Sequence, residues 1–286
     1  MRSFDHFIAI DWSGAKTPQQ KGIAVAVCMM GNDAPALLRP AQVWSREAVL
    51  VWLQTEAPPN ALIGFDLSPS LPFGKVGFLP GWDRSPTSAK ELWQLVDEVC
   101  ADDPHLAASS FVAHAEARRH FRHGKGDCGD LFEPGGGRLR ETERRQIANA
   151  TNPSSCFNLV GAAQVGKSSL TGMRLLNRLD HRYPVWPFDD VPDTGSLVVE
   201  IYTSIAARAA NIPKGRAKML DGDSLDKALR AIGSKPHAPL ARYDDHSTDA
   251  ILTAAWLRTV AHDPALWDPP GLDPVRHTEG WTFGVV

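Results

Sequence analysis

Two apolar runs that each end on an aspartate constrain the fold of this chain more than any other feature. The first covers residues 7–11 and ends at Asp11, and the second covers 61–66 and ends at Asp66. A short apolar run that gives way to a tight turn is typical of a buried strand. If the two strands are parallel neighbours, both carboxylates lie at the same edge of the sheet. A third run, 196–202, carries Glu200 among its apolar residues.

The segments around these runs predict a mixed sheet. Residues 22–30 and 36–44 are the predicted second and third strands, and their short connections favour antiparallel hairpins. An amphipathic helix at 47–53 forms a crossover that places the fourth strand, 61–65, parallel to the first. Residues 197–202 and 249–260 supply a fifth strand and a closing helix. The chain is therefore predicted to be an α/β protein with a mixed five-stranded sheet flanked by helices.

A long segment separates the fourth strand from the fifth. We predict a core made of residues 1–66 and 195–286, with a large, mainly helical insertion at 67–194. Helices are predicted at 88–100 and 107–123, and a loop at 124–137. Basic side chains are concentrated at 118–145 and again at Lys214, Arg216 and Lys218. They either contact a nucleic-acid backbone or form solvated faces paired with neighbouring acids.

Charge and composition narrow the class of protein. The formal net charge of −3 argues against a protein that coats nucleic acid by bulk charge, although it leaves room for a local basic patch. The 4 cysteines are far apart and form no C-x-x-C pair, which suits reduced thiols and gives no zinc signature. The N-terminus lacks the features of a signal peptide, and no apolar run approaches the roughly 20 residues that cross a bilayer. We therefore expect a cytoplasmic protein with no membrane partner, and the oligomeric state stays open.

The start of the closing helix adds two further carboxylates. Asp245 and Asp249 are four residues apart, so they share one helix face. Clustered anions are costly, since two charges about 4 Å apart repel by about 4 kcal/mol at an effective dielectric near 20. Protons or cations must neutralise such a cluster, and hard oxygen ligands select Mg²⁺ or Mn²⁺. Asp11, Asp66 and Asp249 together favour a metal site.

Each carboxylate also has an ordinary structural explanation. Asp11 suits a turn that precedes Gly14, and Asp66 suits a cap. Asp245 suits the favourable position of a negative charge at a helix N-terminus. Glu200 suits a strand residue that pairs with an arginine.

Six short pieces in fixed order, 8–11, 64–68, 186–188, 199–202, 245–250 and 279–281, carry a resemblance to a known family. They resemble predicted ribonuclease H-like nucleases of undetermined physiological role, which are distantly similar to Holliday-junction resolvase-type folds. The resemblance implies a ribonuclease H-like core and metal-dependent hydrolysis of phosphodiester bonds, in nucleic acid or in another phosphodiester. It also implies Asp11, Asp66 and Asp249 as metal ligands, with Asp245 or Glu200 as the fourth group.

Residues 161–168 match the phosphate-loop pattern G-x-x-x-x-G-K-[ST], with Gly161, Gly166, Lys167 and Ser168 at its fixed positions. A short strand at 156–160 and a helix at 169–179 are predicted around the loop, but no second strand ending in a metal-holding aspartate is evident. A nucleotide-binding phosphotransferase or ATPase that uses ATP is therefore a second hypothesis. A non-catalytic nucleic-acid-binding module is a third. Trp12 is a candidate for stacking on a base or sugar.

Overall fold

The computed structural model describes residues 2–149, 151–161, 164–213 and 219–286. Its main sheet contains β1 (His6–Asp11), β2 (Ala24–Met29), β3 (Ala36–Leu37), β4 (Ala61–Asp66) and β7 (Leu197–Glu200), and β5 (Arg122–Gly124) and β6 (Asp127–Cys128) form a separate small sheet. The order across the main sheet is β3-β2-β1-β4-β7. β1 pairs antiparallel with β2 and parallel with β4, which pairs parallel with β7. The predicted mixed five-stranded sheet of an α/β protein is confirmed.

Helices cover both faces of this sheet. They are α1 (Arg46–Thr55), α2 (Ala89–Val99), α3 (Ser109–Ala113), α4 (Ala115–Arg118), α5 (Glu141–Ala148), α6 (Val165–Arg178), α7 (Thr203–Ala209), α8 (Gly222–Ala231) and α9 (Asp245–Val260). Single 3-10 turns lie at Pro104–Leu106, Pro264–Leu266 and Asp273–Val275. Within the described ranges, no helix combines the length and the apolar character needed to span a membrane.

Strand side chains alternate between two hydrophobic cores, as the pleat of a strand requires. Ile8 and Ile10 of β1 face a core that they share with α1, α2 and α6. Phe7 and Ala9 face a second core that they share with α7, α8 and α9. The segment 67–194 supplies α2 and α6 to the first core, so it packs on the same sheet as the rest of the chain.

The same alternation assigns the strand-end carboxylates to faces. Every second side chain of a strand points to the same face, so Asp11 leaves the sheet on the side of Phe7 and Ala9, which is the side of α9. Asp66 lies four residues after Leu62 in β4, so it leaves the sheet on the α9 side as well. Glu200 has the parity of Val198, which faces the core of α2 and α6. The three carboxylates meet at one edge of the sheet but leave it on opposite faces.

Several predicted elements differ from the structure. The predicted third strand at 36–44 is only Ala36–Leu37, because the chain turns at Arg39, whose φ is 51°, and Pro40 follows. The predicted helix at 107–123 is broken at His114, whose ψ is 135°, and it ends before β5. The predicted loop at 124–137 contains β6.

Candidate functional site

Asp11 and Asp66 are direct neighbours at the ends of two parallel strands. The register pairs His6 with Ala61 and runs without interruption until it pairs Asp11 with Asp66. Because adjacent strands lie about 4.8 Å apart, the two carboxylates leave the sheet side by side on the same face. Asp11 is only 8% exposed and Asp66 is half-buried. The predicted meeting of these two residues is therefore present in the fold.

Burial and mutual repulsion make both carboxyl groups weaker acids than usual. Loss of solvent raises the pKa of Asp11, and a hydrogen bond from His246 opposes that rise. The pKa of Asp66 lies well above its ordinary value, first because of burial and then because of the negative charges of Asp11, Asp249 and Glu200. A hydrogen bond with the Thr203 hydroxyl opposes the rise.

His246 completes this group, although sequence analysis did not single it out as a functional residue. Its Nδ1 lies 3.1 Å from Oδ2 of Asp11. This hydrogen bond, more than the neighbouring charges, raises the pKa of His246, and burial opposes the rise. The ring packs beside Gly22, where an added Cβ would lie 3.2 Å from the ring carbon Cε1. A signal was present in the sequence, because His246 precedes Asp249 by three residues on one helix face.

The N-terminus of α9 brings the remaining predicted aspartates to the same edge. Asp244 is the N-cap residue, and its side chain accepts a hydrogen bond of 3.0 Å from the backbone N–H of Ser247. Asp245 stands in the first helical turn, and its charge acts on the pKa of Asp11. Asp249 lies one turn later, and its charge acts on the pKa of Asp66. Five aspartates from β1, β4 and the start of α9 thus interact electrostatically at this edge.

Glu200 has a different environment, because a buried arginine holds both of its carboxylate oxygens. Arg140 donates from Nη2 to Oε1 at 2.6 Å and from Nη1 to Oε2 at 2.8 Å. Its Nε donates to Glu143 at 2.9 Å, and the Thr282 hydroxyl donates to Glu200 at 2.9 Å. Arg140 is 1% exposed. Glu200 is therefore a strand residue that pairs with an arginine, as its structural explanation predicts.

The described part of the chain contains no group of three or more His, Cys, Asp or Glu side chains already arranged to hold a metal ion. The predicted ligands Asp11, Asp66 and Asp249 are therefore gathered at one edge without forming a complete ligand shell. Their chemistry nevertheless fits a hard divalent cation, because all three offer carboxylate oxygens. A cation among them would relieve the repulsion that raises the pKa of Asp66.

The phosphate-loop match has only part of its predicted context. Residues 156–160 do not form the predicted strand, since they contribute only an isolated bridge between Asn158 and Arg122. The helix is present, but it begins at Val165 and therefore includes Gly166, Lys167 and Ser168. The Ser168 hydroxyl donates to the Val165 carbonyl at 2.8 Å, and the Gly166 N–H donates to the Asn158 carbonyl at 3.1 Å. Two groups that a phosphate loop offers to its ligand are thus used inside the protein.

A cleft of about 680 Å³ connects the two predicted sites. Asp66, Glu200 and His246 line it, and so do Lys167 and Ser168. Gly14 explains the proximity: a Cβ there would lie 2.4 Å from the backbone nitrogen of Ser168, so only glycine permits this contact. The turn after Asp11 therefore packs directly on the start of α6, and Lys167 and Ser168 line the same cleft as Asp66.

Most of the predicted basic surface is paired internally. Arg118 and Arg119 form ion pairs with neighbouring aspartates, and Arg144 and Arg145 both pair with Glu141. These ion pairs favour the explanation that the basic residues form solvated faces paired with neighbouring acids, over the explanation that they contact phosphates. The second predicted group lies outside the described residues: Lys214, Arg216 and Lys218.

Trp12 does not have the exposure that the stacking hypothesis requires. It is 5% exposed, and its ring packs edge-on against Phe65 with centroids 5.7 Å apart. Its Nε1 donates to the Thr171 hydroxyl at 3.1 Å. Trp12 thus connects the end of β1 to α6 in the core.

Comparison with protein-family models, with curated proteins and with solved structures found no significant match for this chain. Any assignment of function therefore depends on the geometry of the cleft and on the chemistry of the side chains that line it.

Proposed function

We propose that this chain hydrolyses phosphodiester bonds with a divalent cation, Mg²⁺ or Mn²⁺, held at the carboxyl edge of a ribonuclease H-like sheet. In this proposal the segment 67–194 is an insertion between the fourth and fifth strands of that sheet. The observation that carries the proposal is the register pairing of Asp11 with Asp66, two partly desolvated carboxylates on one face. Without a cation or a proton, such a pair is destabilising. Nucleic acid is the proposed substrate.

In the proposed reaction, Asp11, Asp66 and Asp249 hold the cation. When bound, the cation polarises a phosphoryl oxygen and lowers the pKa of a water molecule. The hydrogen bond from His246 orients the Asp11 carboxylate, and the Thr203 hydroxyl does the same for Asp66. Glu200 lies outside this proposed ligand set because Arg140 holds both of its oxygens. Asp245, at the start of α9, is a candidate for the fourth group.

Metal binding and activity test this proposal together. We expect isothermal calorimetry to detect Mn²⁺ binding to the full chain, and we expect Asp66→Asn to weaken it about tenfold or more, a loss of at least about 1.4 kcal/mol. Hydrolysis of bis(p-nitrophenyl) phosphate should require Mn²⁺ and should be lost in the same variant. Asp102→Asn, at an exposed turn, is the matched control. The proposal fails if the chain binds no Mn²⁺, or if Asp66→Asn binds it as the unmodified chain does.

A nucleotide-dependent phosphotransferase is the second candidate, and one observation favours it. Lys167 and Ser168 of the phosphate-loop match line the same cleft as Asp66. If this function is correct, ATP should raise the midpoint of thermal unfolding, and Lys167→Ala should abolish the rise. Salt-sensitive binding of nucleic acid without cleavage, unchanged in Asp11→Asn, would instead favour a non-catalytic binding module.

A further inference from the structure

The cleft carries opposite charges in two places. Asp66 lines one part of it, and Lys16 and Lys167 line another. Its volume of about 680 Å³ lies within the range of roughly 300–1,000 Å³ that is usual for small-ligand pockets. A ligand of nucleotide size fits this space, and its negative and positive groups would meet complementary charges.

The two lysines are brought together by a close backbone contact. At Gly14 an added Cβ would lie 2.5 Å from Cβ of Lys167, and Lys16 follows two residues later in the same turn. The buried Arg46 fixes this turn, since its Nη1 donates to the carbonyls of Ser13 at 2.9 Å and Ala15 at 2.8 Å. Arg46 is 0% exposed, so the turn is held by the protein interior. The backbone that carries the two lysines is therefore held in place from the interior.

Neither lysine is compensated by an acidic partner within the described residues. The lysine ion pairs found there are those of Lys90 with Asp189 and of Lys235 with Asp33. Lys16 is exposed and Lys167 is half-buried, and both residues line the cleft. Two unpaired cations on one wall attract an anion with more than one charge.

We propose that Lys16 and Lys167 bind a terminal phosphate monoester of the substrate, next to the phosphodiester that lies at the acidic edge. The position of that phosphodiester rests on the proposed function. A phosphate monoester carries about −1.5 to −2 charges at pH 7 and matches two ammonium groups, whereas a backbone phosphodiester carries one. The substrate class is thus a nucleic-acid end or a small nucleotide that bears a terminal phosphate.

A second, smaller recess that the two lysines also line is the reason to favour a terminal group over a continuing strand. Lys16 and Lys167 also border a recess of about 30 Å³ with a mainly apolar lining that includes Ala108, Val112 and Leu170. That volume is about the space of one water molecule, too small for another nucleotide. This recess therefore offers no pocket for a further nucleotide beside the two lysines.

Oligonucleotide binding tests the lysine site without the metal. A fluorescent tetrathymidylate is titrated in EDTA at low salt, with a 5′-phosphate, with a 3′-phosphate and with no terminal phosphate. We expect one of the phosphorylated forms to bind at least about tenfold more tightly than the unphosphorylated form. Lys16→Ala and Lys167→Ala should each reduce this preference to less than about threefold. Lys75→Ala, at an exposed loop position, is the control and should retain it.

The same titration with Asp66→Asn separates this inference from the proposed function. The preference for a terminal phosphate should persist in that variant, because the lysines do not depend on the cation. Equal binding of all three oligonucleotides, or a preference that survives both lysine substitutions, overturns the inference. If the unmodified chain binds no Mn²⁺ but keeps its preference for a terminal phosphate, the proposed function alone is overturned.

Discussion

Two groups of acidic side chains meet at the same edge of the sheet, and they differ in how their charge is compensated. Glu143 and Glu200 surround the buried guanidinium of Arg140, which makes short ion pairs with both. Asp11 and Asp66 face each other, and no described residue forms an ion pair with Asp66. The first group has a cation supplied by the chain itself. In the second group the His246 imidazole contacts Asp11 at 3.1 Å, but Asp66 has no such cation among the described residues, and this difference is the reason to expect a ligand there.

The difference follows from the faces on which the side chains leave the sheet. Glu200 is the register partner of Phe65 and points to the face covered by the 67–194 segment, which supplies Arg140. Asp11 and Asp66 point to the face of α9, whose first turns contribute further aspartates and His246. We infer that the acids around Arg140 maintain the fold and that the acids beside α9 carry the function.

Arg140→Met should give the largest effect, because it leaves two glutamates buried without a cationic partner. Breaking a buried ion pair by removing one partner costs about 3–5 kcal/mol. The free energy of unfolding, measured by urea denaturation, should fall by that amount. Arg144→Met, whose arginine is exposed and pairs with Glu141, should cost less than about 0.5 kcal/mol. If both variants were equally stable, the assignment of a structural role to Arg140 would be wrong.

Glu200→Gln should destabilise the fold by about 2 kcal/mol, because hydrogen bonds to charged groups contribute about 1.5–3 kcal/mol. The amide keeps the shape of the side chain but offers Arg140 no negative charge, and one of its terminal groups is a donor that faces a donor. Urea denaturation again provides the measurement. An unchanged free energy of unfolding would mean that Glu143 alone compensates Arg140.

Asp66→Asn should raise the free energy of unfolding, whereas the two substitutions above lower it. Without a divalent cation, removing this charge relieves repulsion from Asp11 and Asp249, so the variant should be more stable by about 1 kcal/mol, the size of a typical single-residue effect. Excess Mn²⁺ should stabilise the unmodified chain more than the variant, because the variant binds the cation about tenfold or more weakly. Thermal unfolding in EDTA and in Mn²⁺ measures both effects. A destabilised variant in EDTA would remove the contrast between the two acidic groups.

The sequence predicted the sheet because its strands are local, apolar and joined by connections of suitable length. The pairing of Asp11 with Asp66 followed from one helical crossover, and the structure has it. The 107–123 segment was harder, because its alanines and arginines favour a continuous helix. Phe111 and Phe121 must both reach the core, and the chain does this with two short helices and a strand. Tertiary packing overrides local propensity there.

The sequence predicted where the site lies better than it predicted which residues belong to it. Side chains alternate between the two faces along 197–200, and this alternation places Glu200 on the face opposite to the aspartates. The assignment requires the register of β7 against β4, which the sequence does not give. Arg140 lies 60 residues before Glu200, in a charged segment whose sequence predicts an exposed surface. Only the fold shows that Arg140 is 1% exposed. Long-range compensation of charge has no local sequence pattern.

The smallest predicted effect is a change with pH in the stability difference between Asp66→Asn and the unmodified chain. Burial and neighbouring charges raise the pKa of Asp66 in the folded state, so the folded chain keeps a proton that the unfolded chain releases. The stability associated with this proton is fully present below the ordinary aspartate pKa of about 3.9 and is lost as the pH rises towards the folded-state value. Asparagine does not titrate. In EDTA, the advantage of the variant should therefore be smallest near pH 4 and should grow towards pH 8.

Asp102→Asn is the control for this measurement, since its aspartate lies at an exposed turn, and its stability difference should stay constant across the same range. His246 also has a raised pKa, and its contribution likewise falls as the pH rises, but it is present in both chains being compared. It therefore cancels to the extent that Asp66→Asn leaves the hydrogen bond between His246 and Asp11 intact. An advantage that shrinks towards pH 8 would mean that the folded state favours the charged form of Asp66. The carboxylates beside α9 would then be compensated as fully as those around Arg140.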